Sequence, residues 1–104
     1  MSYNKLISIC ESSQEDYSYD RFISAILFIQ EETHKPRSRY NYNIIEETLY
    51  HLEDVLPKVL EEYQEYLNDS SSVQEGKFYI QELSKINDMI VDVNYLIKKV
   101  LDFN

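Results

Sequence analysis

Two histidines, one cysteine and nineteen carboxylates are the side chains of this sequence best suited to chemistry, and their spacing decides which chemistry is open to them. In Glu31-Glu32-Thr33-His34 a Glu and a His stand three apart, so one helix face could offer both to a metal ion, as in bundles with paired iron sites. Such a site needs a second Glu-x-x-His and further inward carboxylates. His51 has Thr48 at the equivalent position, although Glu47 lies four before it, and His34 falls at the end of the helix expected there. No metal or other cofactor is expected.

Nucleophilic catalysis finds no better footing. A reactive thiolate requires an electropositive setting and an oriented base, whereas Cys10 shares an apolar phase with Leu6 and Ile9 and reads as a small buried hydrophobe. Adjacent Glu-Glu pairs on a helix point in different directions, and no glycine-rich loop accompanies them to cradle a ligand. The expectation is a protein without catalytic residues and not an enzyme.

Charge narrows the field of partners. The formal net charge is −9 and the pI about 4.6, so the overall field repels nucleic acid and anionic membranes and attracts basic proteins. The local exception is "HKPRSRYNY", where Lys35, Arg37 and Arg39 adjoin Tyr40 and Tyr42. Three cations in a loop are too few for strong phosphate-driven affinity and read as a solvated loop that partly neutralises nearby carboxylates. A single cysteine, and no N-terminal apolar run resembling a signal peptide or spanning helix, point to a reducing cytoplasm. The Asn68-Asp69-Ser70 triplet is accordingly a chance match to a glycosylation acceptor.

The elements that position these residues are helical. Gly occurs once and Pro twice, which favours long segments with few tight turns, and 104 residues suffice for one domain, taken as 1–104. Over 43–69, Ile45, Leu49, Leu52, Leu56, Val59, Tyr63 and Tyr66 alternate by four and three, the spacing of one helix face, and Leu60 and Leu67 widen the stripe. Asn43 with Glu46 forms a capping pair, and a kink is expected near Glu53 to Pro57. After the polar break "NDSSS", a capping box of Ser72 and Glu75 opens a second long helix with Tyr79, Leu83, Ile86, Ile90, Val93, Ile97 and Val100 on its face. Met89, Leu96 and Phe103 form a second stripe, so this helix should meet more than one neighbour, and Asn87 and Asn94 edge the core or fix a register from within it.

Upstream, the spacing predicts a helix over about 17–34, ending before Pro36, with Phe22, Ile26 and Ile29 on one face and Ile23, Leu27 and Phe28 around the rest. A shorter helix over about 2–12 completes the set. Connections at about 13–16, 35–42 and 68–72 are short enough to make successive helices antiparallel neighbours. The expected fold is all-α: an antiparallel helical bundle, four helices in number, or three with the short N-terminal helix laid across.

With Leu56 facing the core, Glu47, Asp54, Glu61 and Glu65 all point away from it, and Tyr50 lies in the same outer strip. Over 43–69 eight carboxylates face Lys58 alone, a local charge of −7. Glu47, Tyr50, Asp54, Glu61, Glu62, Glu65 and Tyr66 are therefore the candidate partner-binding residues. Carboxylates supply attraction, and tyrosines supply contact area at low entropic cost. Size, charge and surface type are similar to those of immunity proteins that neutralise basic nuclease toxins and of some phage-encoded inhibitors. The expectation is a non-enzymatic module that masks a basic partner surface, most concretely as a toxin-immunity or antitoxin-like inhibitor. The alternative is a structural or regulatory bundle that forms a homodimer through Ile23 to Ile29.

Overall fold

A computed structural model of the chain describes residues 2–11 and 19–101. It contains α1 (Tyr3–Glu11), α2 (Tyr19–Glu32), α3 (Tyr42–Asn68) and α4 (Val73–Val100), with a 3₁₀ turn at Arg37–Arg39 before α3. The described residues are 87% helical and include no strand, so the all-α bundle holds. The expected connection at 13–16, the first two positions of the expected second helix and Phe103 lie outside the described residues.

Local chemistry accounts for the helix ends. Asn41 caps α3, its side-chain oxygen accepting from the Ile44 N–H at 3.3 Å, two residues earlier than the Asn43 pairing expected from sequence. Asn43 is already inside the helix and exposed. The Ser72 hydroxyl does accept from the Glu75 N–H at 3.1 Å, while the Glu75 carboxylate reaches back to Ser71 rather than to Ser72. Pro57 sits exposed within α3, which continues through it as helix although the Glu53 carbonyl loses its usual donor there.

Pairing runs α1 with α3, α3 with α4, α4 with α2 and α2 with α1. The four-residue link between α3 and α4 makes them an antiparallel hairpin, and α4 meets two neighbours, as its double stripe requires. Tyr3 beside Asn41 and Cys10 beside Thr48 show that α1 runs parallel to α3. Successive helices are therefore not all neighbours: α2 and α3 lie across the bundle's diagonal, because the 33–41 connection is long enough to cross its end.

One contiguous core fills the bundle, with Leu6, Ile29, Ile45, Leu49, Leu52, Leu56, Ile86 and Leu96 fully enclosed. Its axis along α4 differs from the expected one. Ile86, Val93, Ile97 and Val100 of the expected stripe are buried, together with Glu82, Met89 and Leu96, while Leu83 and Ile90 are only half-buried. Packing against both α2 and α3 pulls the centre line between the two apolar stripes. Asn87 and Asn94 are exposed, so no buried amide sets the register.

Helix lengths set the molecule's shape. At ~1.5 Å per residue α3 and α4 each run about 40 Å, α2 about 21 Å and α1 about 13 Å, so the short helices cannot cover the whole hairpin. The extents of 51 × 24 × 19 Å reflect that long hairpin. Near its closed end Tyr63 and Tyr79 are only half-buried, and Tyr66, placed on the core stripe by its spacing, is 42% exposed.

Candidate functional site

The outer strip of α3 is built as its spacing requires. Glu47, Tyr50, Asp54, Glu61 and Glu65 recur on the side opposite Leu52 and Leu56, and all five are exposed, Tyr50 to 49%. Lys58 reaches Asp54 at 3.2 Å, an exposed i,i+4 pair that screens one carboxylate of the strip. The remaining ion pairs among the described residues, Glu32 with Lys35 and Glu82 with Lys85, lie elsewhere. Glu47, Glu61, Glu62 and Glu65 have no cation within ion-pair distance among those residues.

Glu62 and Tyr66 do not belong to that strip. Counted at 100° per residue they turn toward the flank of α3, where Glu62 is half-buried and accepts a hydrogen bond from the Tyr66 hydroxyl. That bond holds the phenol proton and, with burial second, pushes the Tyr66 pKa up. The seven residues expected to act together thus form an exposed strip of five and an adjoining pair that joins an aromatic cluster.

The cluster was not anticipated as a unit. Tyr63 and Tyr66 lie 5.6 Å apart, Tyr66 and Tyr79 5.7 Å, Tyr63 and Tyr79 6.2 Å, and Phe78 and Tyr79 5.3 Å between ring centres. Four aromatics flanking the "NDSSS" break were the available signal, since a hairpin there brings both sides together.

Other chemistry-bearing residues take structural positions. Glu32 is buried, accepting from the Tyr3 hydroxyl at 3.2 Å and pairing with Lys35 at 3.0 Å, so Lys35 does neutralise a nearby carboxylate. Burial pushes the Tyr3 pKa up. The Arg37 guanidinium stacks 4.8 Å from the centre of the Tyr42 ring. Cys10 is half-buried rather than enclosed; its thiol lies 3.7 Å from the Thr48 hydroxyl, and burial raises its pKa, which keeps it a thiol. Glu31 and His34 are exposed and no group of potential metal ligands gathers among the described residues. A groove of about 400 Å³ between α1 and α2, lined by Lys5, Ser8, Ile9, Asp20, Arg21 and Ser24, mixes both charge signs. No described helix is long and apolar enough to cross a membrane.

Of the Ile23 to Ile29 segment, Ala25, Ile26 and Ile29 are buried, Ile23 and Phe28 pack against the core, and Leu27 alone among the large apolar residues is exposed, at 56%. Fold and surface together define an acidic four-helix bundle with a long two-helix arm. No protein-family model, no curated protein and no solved structure matches the chain.

Proposed function

We propose that this chain is a non-enzymatic binding protein that masks a cationic surface on a protein partner, most concretely as an immunity or antitoxin-like inhibitor of a basic nuclease-type toxin. The observation that carries the reading is the exposed strip Glu47, Tyr50, Asp54, Glu61 and Glu65, in which Asp54 alone has a basic neighbour in contact among the described residues. Like charges on one helix face cost a little folding stability, so their concentration on α3 fits a surface kept for recognition. On a toxin, these carboxylates would occupy sites that otherwise receive substrate phosphates, and their field would speed encounter. The free, protonated Cys10 fits a reducing cytoplasm.

The test is capture of a basic partner from the source organism's extract at low salt, followed by kinetics with the strip reversed as Glu61→Lys and Glu65→Lys. Association that is salt-insensitive, or unaffected by the double reversal, sinks the reading.

A second reading, self-association as a structural or regulatory bundle, is favoured by a surface other than Ile23 to Ile29. Ile80, Val91 and Tyr95 are exposed to 58%, 64% and 63% along the outer side of α4, where helical spacing places them in one stripe. Sedimentation would show a concentration-dependent mass with little response to salt.

A further inference from the structure

The closed end of the α3–α4 hairpin joins an aromatic surface to uncompensated negative charge. Tyr66 and Phe78 are 42% and 53% exposed, and both are in ring contact with half-buried Tyr79. One helical turn before Tyr66 stands Glu62, whose Oε1 accepts the Tyr66 hydroxyl proton; Glu61 and Glu65 flank the pair. None of these three carboxylates meets a cation among the described residues. An aromatic face attracts a cation through its quadrupole, and a carboxylate beside it supplies the counter-charge.

Arginine fits this pair of features better than lysine. Its planar guanidinium stacks on a ring, is weakly hydrated, and presents a fork of N–H donors that a carboxylate can accept in two places, whereas an ammonium is a compact, strongly hydrated point charge. The chain already uses the stacking half of this arrangement internally, with Arg37 over Tyr42. Hot spots of protein interfaces also concentrate in tyrosine and arginine, ringed by groups that matter less.

We propose that the aromatic cluster at the hairpin end is the anchor of the acidic surface, seating an arginine side chain of the basic partner on Tyr66 with its guanidinium against Glu62. This rests on the reading of α3 as a recognition surface and adds to it a side-chain type and a place. The outer strip steers; the hairpin end discriminates.

Oligo-arginine and oligo-lysine peptides of equal length separate the two roles. Isothermal titration calorimetry reads the affinities, because the ten tyrosines of the chain extend well beyond the cluster and their fluorescence does not isolate it. At low salt the full chain should bind oligo-arginine about threefold to tenfold more tightly, the range expected of a partly desolvated cation–π contact. Tyr66→Leu should abolish the preference, and Tyr66→Phe, which keeps the ring and loses the hydrogen bond to Glu62, should retain most of it. Circular dichroism confirms that each variant is folded. Equal, salt-sensitive binding of both peptides overturns the arginine seat and leaves the acidic surface standing, whereas absence of salt-sensitive binding to either overturns both. A preference that survives Tyr66→Leu overturns the seat as well. So does a dimer of the chain alone that Tyr66→Leu dissolves, since a second copy would then be the occupant.

Discussion

Leu56 and Glu47 lie on opposite sides of one helix, and their substitution should separate packing from charge. Leu56 is fully enclosed where α3 meets α4, so Leu56→Ala should cost about 2 to 5 kcal/mol by thermal or denaturant unfolding. Glu47→Ala should be close to neutral, or slightly stabilising through relief of repulsion. His51 makes a different prediction. It is half-buried, and burial lowers its pKa below the ordinary imidazole value, while Asp54 pulls the other way and Lys58 adds to the lowering. A proton then binds the unfolded chain more readily than the folded one, so stability should decline as pH falls below about 6.5. His51→Gln should flatten that part of the profile, read as the difference in melting temperature between neutral and mildly acidic buffer. Burial at Glu82 has the opposite legibility. A carboxylate in the centre line of α4, its Oε1 3.4 Å from Lys85 and its Oε2 buried without a hydrogen-bond partner among the described residues, is not what apolar periodicity suggests.

Gly76 is the weak link among the elements, in the first turn of α4. Its φ is not positive, and a Cβ there would meet Ser70 Oγ at 3.7 Å and Leu67 Cδ1 at 3.9 Å, ordinary contact distances. Nothing in the turn needs a glycine's freedom. Gly76→Ala should therefore stabilise the protein by about 0.5 to 1 kcal/mol through reduced backbone entropy in the unfolded chain, visible as a higher unfolding midpoint. The helices themselves were legible from sequence because each long one carries more than three turns of consistent phase. Their caps were less so: Asn41 and Asn43 both offer a suitable oxygen, and only the path of the chain out of the Arg37–Arg39 turn decides which one meets an orphan N–H.

For the whole molecule the governing quantity is the distribution of charge. α4 carries Glu75, Glu82, Asp88 and Asp92 against Lys77, Lys85, Lys98 and Lys99 and is balanced, whereas α3 carries seven carboxylates against Lys58. The field of the protein is thus strongly one-sided within its two-helix arm. Reversing Glu61 and Glu65 to Lys should slow association with a basic partner about tenfold at low ionic strength, and the effect should fade as salt shortens the range of the field. Stopped-flow rates across a salt series would show it, and unchanged circular dichroism would exclude unfolding as the cause.

The sequence by itself determined that the chain is helical, how its long helices are phased, and which carboxylates face outward on α3. These are properties of spacing and composition within one element, and the 3.6-residue turn translates them directly into a face. Tertiary structure decided what depends on how far one element extends along another. Leu52 and Leu56 are enclosed, but because α1 and α2 are short the cover ends farther along α3, and Tyr66, at the flank of the stripe, is exposed and packs against Tyr63 and Tyr79. Because α4 packs against both α2 and α3, its buried line runs through Glu82 and Met89 rather than through Leu83 and Ile90. Helical periodicity specifies direction around an axis; only the packed bundle specifies where along that axis a neighbour is present to exclude water.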